Sequence, residues 1–321
     1  MKPLMTVAHL KTYFQTDEGG FVRANDDVNL EVCEGEFVAV VGESGCGKST
    51  VAMSILRLIR PPGKIVEGSI LFKNTELLRL PEEEMRKVRG KAISIVFQNP
   101  VTYLNPVMRV GDQIAEKALF HLGIGLRKTR ERVIDILGQV KIPSPERIYQ
   151  SYPHELSGGM KQRVLIAIAI VCAPSLVILD EPTTALDVTI QGQILQLVKD
   201  LRKRMGMSMI LITHDLGIVA DIADKVYIMY AGRIVESSEV FTLFKDPLHP
   251  YTQALLGSVL SVNEYKEDLV SIAGVVPDLR SPPTGCRFHP RCPRRLDVCA
   301  KESPSLSYLK EDHGVACWLY G

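Results

Sequence analysis

The sequence lacks an excess of either charge, because 38 lysines and arginines balance 37 acidic residues to a net charge of +1. This balance gives no electrostatic reason to expect nucleic acid as the main partner. A long hydrophobic run is also missing: the longest, residues 164–179, contains Pro174 and Ser175 and is too short to cross a bilayer. The first ten residues lack the apolar core and small-residue cleavage site of a secretory signal. We therefore expect a soluble, cytoplasmic protein.

The composition, 46% hydrophobic and 23% charged, is typical of a globular protein with a sizeable core, and we find no internal repeat or low-complexity tract. Strand-like segments alternate with helical ones, which predicts an α/β fold with a mainly parallel core sheet. Residues 110–150 carry apolar residues at helical spacing, so we expect a helical insertion there, and a further helix at 189–206. Strands are predicted at 6–13, 28–32, 36–42, 68–74, 93–98, 176–180, 207–214 and 225–236, the last as a hairpin around Ala231 and Gly232.

The character of the chain changes after about Phe244. The segment KDPLHPYTQAL predicts a new helix, and VVPDLRSPPTG at 275–285 is a proline-rich, extended connector. We therefore divide the chain into a larger part, residues 1–245, and a C-terminal extension, residues 246–321.

The segment GESGCGKS, called here the glycine loop (residues 42–49), follows a hydrophobic strand and precedes a helical run. This is the context in which G-x-x-x-x-G-K-[ST] binds phosphate, through backbone N–H groups and the positive end of the helix. Lys48 is expected to reach the β and γ phosphates, and the Ser49 hydroxyl to ligate Mg²⁺. Cys46 is either a redox-sensitive thiol or, the interpretation we favour, a small filler of the loop. The predicted nucleotide contacts are Gly42, Ser44, Gly45, Cys46, Gly47, Lys48, Ser49 and Thr50.

A second acidic site follows the predicted strand LVILD. The strand delivers Asp180 and Glu181 at its carboxyl end, the edge at which open α/β sheets bind ligands. Asp180 is expected to hold the Mg²⁺ shell through water, and Glu181 to polarise a water in line with the γ phosphate.

The segment LSGGMKQR at 156–163 closely resembles the signature of ABC-type ATPases. The resemblance covers residues 1 to about 245 and includes Gln98 in VFQNP, Asp187 at the end of TTALD, and His214 in ITHD. It implies a P-loop NTPase of the ABC-ATPase type: an ABC cassette with an antiparallel β part and a helical subdomain at about 100–160, followed by a small cysteine-rich extension. Met160 stands where the family usually has glutamine, which leaves the Ser-Gly-Gly core intact.

The resemblance also implies the roles of individual residues. Catalysis is assigned to Lys48, Gln98, Glu181 and His214, with Gln98 also a ligand of Mg²⁺ beside Ser49 and Asp180. The adenine-stacking aromatic is less well marked; Phe21 is our assignment, with Phe14 as the second choice. Head-to-tail dimers sandwich two ATP molecules in this family, which brings in Ser157, Gly158, Gly159 and Asp187 from the other subunit.

A second resemblance extends over the whole chain. It rests on four segments: FQNPVTYLNPVMRVGDQI, SYPHELSGGMKQR, DEPTTALDVTIQGQIL and HPYTQALL. These segments resemble the ATPase subunits of dipeptide and oligopeptide importers. The resemblance implies permease subunits, a second ATPase subunit (identical or different) and, indirectly, an extracellular or periplasmic solute-binding protein as partners, with no nucleic acid. It places the chain on the inner face of the cell membrane. Alternatives are another solute, such as nickel or an oligosaccharide, and a soluble ABC ATPase acting on DNA or ribosomes. Action on DNA is disfavoured because about 108 residues without sustained heptads separate Lys48 from Ser157. Action on ribosomes is disfavoured because the relatives with iron–sulfur centres carry two cassettes and an N-terminal ferredoxin-like region.

Four of the seven cysteines crowd the C-terminal tail with the spacing C-x5-C-x6-C-x17-C: Cys286, Cys292, Cys299 and Cys317. In a reducing compartment such thiols indicate a metal rather than disulfides, and ligation supplies folding energy that this Pro- and Arg-rich segment cannot gain by burial. Thiolate quartets hold zinc or a [4Fe–4S] cluster. GCRFHPRCP resembles the tail of peptide-importer ATPases with an iron–sulfur cluster, so we expect [4Fe–4S], with zinc, or reduced or disulfide-linked cysteines, as alternatives.

Overall fold

The computed structural model describes residues 2–184, 186–258, 272, 274–310 and 312–321. Its contacts divide the chain into two compact units. The first unit comprises Met1–Val32, Phe37–Leu78 and Ile212–Gly321, and the second unit comprises Cys33–Glu36 and Arg79–Leu211. This division follows contacts rather than sequence order, and the predicted boundary at residue 245 stays a prediction.

The strands are β1 Pro3–Gln15, β2 Phe21–Cys33, β3 Phe37–Val41, β4 Gly63–Phe72, β5 Thr75–Glu76, β6 Ile93–Val96, β7 Leu176–Asp180, β8 Ser208–Thr213, β9 Lys225–Tyr230, β10 Arg233–Glu239, β11 Ser307–Lys310 and β12 His313–Val315. The helices are α1 Lys48–Ile55, α2 Glu82–Val88, α3 Pro100–Tyr103, α4 Val110–Leu122, α5 Leu126–Gln139, α6 Pro145–Gln150, α7 Gly158–Ile170, α8 Val188–Met205, α9 Leu216–Ile222, α10 Val240–Lys245 and α11 Pro250–Ser258. Short 3-10 helices lie at Leu77–Arg79, Pro153–Glu155, His289–Arg291 and Asp297–Ala300. Within these described ranges, no helix is long and apolar enough to cross a membrane.

The first unit contains two sets of paired strands. One is a four-stranded sheet in the order β2-β1-β4-β5, and the other has the order β11-β12-β10-β9-β3. Strands β3 and β9 pair in parallel, with Val38 opposite Lys225, whereas β9, β10, β12 and β11 pair antiparallel. All five residues of β3 are buried. The predicted hairpin is confirmed, since its turn residues Ala231 and Gly232 both have positive φ.

The second unit contains the predicted helical insertion. Strands β6 and β7 pair in parallel, with Ile93 opposite Leu176. Most of the periodicity read from the sequence is confirmed. Two of the apolar positions that predicted the helices, Leu122 and Ile190, are half-buried. The others are buried: Ile114, Ala118, Val133, Leu137, Val140, Ile194, Leu197, Val198 and Leu201. Helix α8 ends at Gly206, whose φ of 64° suits a left-handed C-cap, after three basic residues in the last turn.

Several strands of the first unit differ from the predictions. Strand β1 is longer than the predicted 6–13, and β5, β11 and β12 were not predicted. Strand β2 begins at Phe21 rather than residue 28, and β4 begins at Gly63 rather than residue 68. Both additions carry polar residues that gave no alternating pattern, but antiparallel pairing satisfies their backbone groups, as where Phe14 lies opposite Gly63. Strand β4 also ends earlier than predicted, at Phe72, because Lys73 and Asn74 adopt positive φ in a turn.

The C-terminal tail folds as part of the first unit. Helix α11 is where the sequence predicted one, and residues 275–285 contain neither an α-helix nor a strand, as expected. Strand β12 pairs with β10, with Val315 opposite Glu236. A buried hydrogen bond joins the same strands: His313 Nε2 lies 2.8 Å from a carboxylate oxygen of Glu236.

Candidate functional site

The glycine loop connects the end of β3 to the start of α1 and requires glycine at two positions. A Cβ on Gly42 would lie 2.1 Å from the carbonyl oxygen of Met229. Gly47 has a φ of 104°, and a Cβ there would lie 2.0 Å from the carbonyl oxygen of Ala24. The loop is therefore packed so closely against neighbouring backbone that side chains are excluded, which leaves its N–H groups at the helix start for a ligand.

Lys48 is the first residue of α1, and its side chain is folded against the loop. The side chain is 5% exposed, and Nζ donates to the carbonyl oxygens of Gly42 at 2.7 Å and Glu43 at 3.0 Å. Both acceptors are neutral, so these hydrogen bonds orient the ammonium group without neutralising its charge. A buried cation beside a helix N-terminus fits a phosphate group.

Cys46 is fully buried within the loop. Burial raises the pKa of its thiol to about 11, so the sulfur is protonated at neutral pH. Its carbonyl oxygen accepts a hydrogen bond of 2.8 Å from the Gly232 N–H. A neutral, enclosed thiol agrees with the filler interpretation rather than with a redox-sensitive one.

Residues far away in sequence also hold the loop. Asn25 Nδ2 donates to the Gly47 carbonyl at 2.9 Å, and the Glu43 N–H donates to the Tyr251 hydroxyl at 3.0 Å. Arg291 pairs with the Glu43 carboxylate. Sequence reasoning missed these three supports, because no local pattern marks a residue that acts across such a separation.

In the second unit, Gln98 and Glu181 meet, as the sequence-based assignment requires. Gln98 Nε2 donates to Glu181 Oε2 at 3.0 Å, and Thr184 Oγ1 donates to the same oxygen at 3.0 Å. Glu181 has a φ of 45°, in the left-handed region, and directly follows Asp180, which is 7% exposed at the end of β7. Two donors on one oxygen orient the carboxylate. Thr184 was not predicted from the sequence; its position three residues after Glu181 is the one available signal.

The signature residues form the start of α7. Ser157 caps this helix, and its hydroxyl accepts a hydrogen bond of 3.4 Å from the Met160 N–H. Gly158 and Gly159 follow, with no acidic residue in the first turn. A Cβ on Gly159 would lie 2.7 Å from Cγ2 of Ile190 in α8. Ser157 and Gly158 are exposed, and a helix N-terminus that is exposed and lacks acids is suited to an anion.

Three other predicted site residues lie at the ends of elements. Asp187 caps α8 and accepts a hydrogen bond of 3.0 Å from the Ile190 N–H. His214 is exposed and follows β8 directly. Phe21 opens β2 and is 48% exposed, with its ring 6.4 Å from that of Tyr13. Their functional roles stay predictions.

The four tail cysteines lie in one region of the first unit. Burial is the main cause that raises the pKa of Cys286 to about 11, and the thiols of Cys299, Cys317 and Cys292 raise it further. The Cys286 N–H donates to the Cys299 carbonyl at 2.8 Å. Within the described ranges, however, no three His, Cys, Asp or Glu side chains converge closely enough to hold a metal ion. The thiols are therefore neighbours but do not form a completed ligand set.

A buried strand, a glycine loop with its lysine and a following helix, in an α/β fold with parallel strands, define the chain as a P-loop ATPase. The family model for ABC transporters matches residues 25–184, and the model for the C-terminal region of oligopeptide/dipeptide transporters matches residues 235–299. The chain belongs to the ABC transporter family, among the ATP-binding proteins of peptide transporters.

Individual relatives match over nearly their full length. The chain is 49% identical to the probable peptide ABC transporter ATP-binding protein y4tR of Sinorhizobium fredii, covering 98% of this chain and 94% of the relative. It is 47% identical to the dipeptide transport ATP-binding protein DppD of Bacillus subtilis, covering 99% and 95%. Among solved structures, the dimeric ATP-binding cassette MJ0796 with ADP and Pi superposes with a TM-score of 0.66 at 28% identity, covering 74% of this chain and 98% of that chain.

Proposed function

We propose that this ATPase powers the uptake of dipeptides or oligopeptides through a membrane permease. The observation that carries the proposal is the similarity to dipeptide and oligopeptide transport ATP-binding proteins across 98–100% of the chain. The similarity includes the C-terminal region at 235–299, which lies mostly outside the nucleotide-binding cassette.

The roles in ATP binding and hydrolysis are assigned residue by residue. The glycine loop and Lys48 bind the phosphates, and Glu181 accepts a proton from the attacking water while Gln98 and Thr184 keep its carboxylate oriented. Ser49, Gln98 and Asp180 would hold Mg²⁺, which when bound neutralises charge on the β and γ phosphates. His214 contacts the γ phosphate, and Phe21 stacks on adenine.

Two cassettes close over two ATP molecules, and Ser157, Gly158, Gly159 and Asp187 contact the nucleotide held by the other subunit. The helix start at Ser157 supports this assignment because its first turn lacks acidic residues. The similar cassette MJ0796 is described as dimeric with ADP and Pi bound. The partner is a second copy or a related ATPase.

The chain lies on the inner face of the cell membrane, where its helical segment at about 100–155 contacts the permease. Apolar side chains on this segment support the proposal because they are exposed in the isolated chain: Val107 is 79% exposed, Val101 68%, Phe120 63% and Tyr103 46%. Exposed apolar groups in one segment are typical of a protein-binding surface. A solute-binding protein on the other face of the membrane would deliver the substrate.

The catalytic assignment is tested with Glu181→Gln. This variant should bind ATP and form an ATP-dependent dimer, but it should hydrolyse ATP about 100- to 10,000-fold more slowly because it lacks the general base. Phosphate release and size-exclusion chromatography measure both properties, and Glu146→Gln, an exposed change in α6, is the control. Wild-type turnover by Glu181→Gln would remove Glu181 from this role.

The substrate assignment is tested by uptake. The chain is co-expressed with the permease subunits, partner ATPase and binding protein of its transporter, and uptake of labelled dipeptide, pentapeptide, nickel and oligosaccharide is compared with that of a Lys48→Ala complex. Peptide uptake that requires Lys48 supports the proposal. Uptake of nickel or oligosaccharide alone contradicts the peptide assignment and leaves the ATPase assignment intact.

We also propose that Cys286, Cys292, Cys299 and Cys317 hold a [4Fe–4S] cluster in the extension at 246–321. Support comes from the thiols' mutual influence on the pKa of Cys286. Ligation would draw the four sulfur atoms closer and supply folding energy to the tail. Anaerobic purification followed by iron, acid-labile sulfide and zinc analysis tests this. Matching iron and sulfide support the cluster, zinc without sulfide supports a structural zinc site, and neither leaves four free thiols.

A further inference from the structure

Arg291, in the C-terminal tail, forms an ion pair with Glu43, the second residue of the glycine loop. Arg291 Nη1 donates to Glu43 Oε2 at 2.8 Å, and Nη2 donates to Oε1 at 3.1 Å. The Arg291 side chain is 5% exposed and that of Glu43 is 26% exposed, so the pair is largely shielded from water. A two-point guanidinium–carboxylate contact fixes direction as well as distance, which a single lysine contact cannot do.

The backbone of the same loop residue is held from a second direction. The Glu43 N–H donates to the hydroxyl of Tyr251, which is fully buried at the start of α11. The Tyr251 ring packs against Tyr230 and Phe288, with ring centroids 4.6 Å and 5.4 Å away. Arg291 Nη1 also donates to the Tyr230 hydroxyl at 3.3 Å. The side chain and main chain of Glu43 are thus tied to one cluster.

Glu43 in turn positions the groups that handle phosphate. Its carbonyl oxygen accepts hydrogen bonds from Lys48 Nζ at 3.0 Å and from the Cys46 N–H at 3.3 Å. A shift of Glu43 therefore moves an acceptor of the lysine and changes the curvature of the loop. Arg291 contacts the glycine loop through the Glu43 carboxylate, which makes it a positioning residue rather than a catalytic one.

The arginine belongs to the cysteine-rich segment (residues 285–299). It ends the short helix His289–Arg291, and its N–H donates to the Phe288 carbonyl at 3.0 Å. Cys292 follows directly, and Cys286 begins the same turn, where its carbonyl accepts from the His289 N–H at 3.0 Å. Whatever orders this turn also orders the guanidinium that holds the loop.

We propose that the cysteine-rich segment sets the affinity for ATP by holding Glu43, directly through Arg291 and indirectly through Tyr251 of α11, whose ring packs on Phe288 of the segment. The inference rests on the proposed role of the glycine loop as the phosphate site. It requires that breaking either contact with Glu43 weakens nucleotide binding.

The test measures binding of Mg²⁺ and a non-hydrolysable ATP analogue to the full chain by calorimetry, and KM and kcat for ATP. Arg291→Lys keeps the charge but loses the two-point contact, and Tyr251→Phe keeps the ring but loses the hydroxyl. We expect binding about 10-fold weaker for Arg291→Gln and a smaller loss for the other two variants, with KM raised and kcat at saturating ATP retained. Arg295→Gln, an exposed arginine of the same segment, is the control and should bind like wild type.

A double variant tests the route of the coupling. Glu43→Gln combined with Arg291→Gln should bind no more weakly than the weaker of the two single variants, because each already breaks the same contact. Additive losses would mean that Arg291 acts by another path and would overturn the inference. If Arg291→Gln fails to fold, wild-type affinity in both Arg291→Lys and Tyr251→Phe overturns it equally.

The variant Lys48→Ala distinguishes failure of this inference from failure of the proposed function on which the inference rests. Weak binding by Lys48→Ala together with wild-type binding by the Arg291 and Tyr251 variants refutes the inference alone. Wild-type binding by Lys48→Ala would show that the glycine loop is not the phosphate site, and this result would refute both the site assignment and the inference.

Discussion

Replacing Asp26 by asparagine should destabilise the first unit strongly. Asp26 lies in β2, its side chain is 8% exposed, and three groups donate to its carboxylate. They are the Tyr13 hydroxyl at 2.6 Å, Arg233 Nη2 at 3.2 Å and Arg287 Nη2. Arg287, 5% exposed, also donates to the Ala231 carbonyl, so Asp26 joins the cysteine-rich segment to the hairpin and to β2.

The size of the effect follows from the charge left behind. An arginine side chain is protonated at neutral pH, so Asp26→Asn leaves the Arg287 guanidinium charged and buried without its carboxylate. Breaking one side of a buried ion pair costs about 3–5 kcal/mol. We expect about 3 kcal/mol, the lower end, because Arg233 is 31% exposed and recovers hydration. At about 2 °C per kcal/mol for a chain of this size, Tm should fall by roughly 6 °C.

Urea unfolding followed by circular dichroism measures the change in free energy, and Asp27→Asn is the matched control. Asp27 is the next residue; its carboxylate is 47% exposed and pairs with His9 at the surface, so its loss should cost under about 1 kcal/mol. Arg287→Met in the Asp26→Asn background should recover part of the lost stability, because it removes the unpaired charge. Equal effects of Asp26→Asn and Asp27→Asn would refute the reasoning.

Three further predictions concern pH, the loop and the signature. Although burial raises the pKa of Asp26, the Tyr13 hydrogen bond and two arginine charges lower it below its ordinary value of about 3.9. The stabilisation that ionised Asp26 supplies should be complete above about pH 3.9, and it should be lost as the pH falls through the lower pKa of Asp26 in the folded state. Measurements of Tm from pH 6 to pH 2.5 should show this acid-dependent loss in the wild type and a smaller loss in Asp26→Asn. Gly47→Ala should abolish ATP-analogue binding in calorimetry, since its Cβ would meet the Ala24 carbonyl at 2.0 Å, and retained affinity would contradict the packing described. Ser157→Arg should prevent ATP-dependent dimerisation in size-exclusion chromatography while each subunit still binds ATP, and dimers that survive it would contradict the sandwich arrangement.

The elements around the glycine loop were predictable because their determinants are local. A β-rich run, a glycine turn and a helical run occur in sequence order, and phosphate binding depends on neighbouring N–H groups. Asp180 and Glu181 were found for the same reason, since a strand end places adjacent residues at the sheet edge. The early parts of β2 and β4 were missed because their pairing is with β1, and no local alternation records it.

Local patterns along the chain were enough to name the residues that can do the chemistry: glycines in a tight loop, a lysine at a helix start, and a glutamate beyond a buried strand. The groups that hold these residues in place are visible in the folded chain alone. Glu181 is oriented by Thr184, 3 residues away in sequence, and by Gln98, 83 residues away. Glu43 is held by Arg291, which is 248 residues away in sequence. The physical reason is that a hydrogen bond depends on distance and direction in space, and the folding of the chain sets both for residues that no sequence pattern connects.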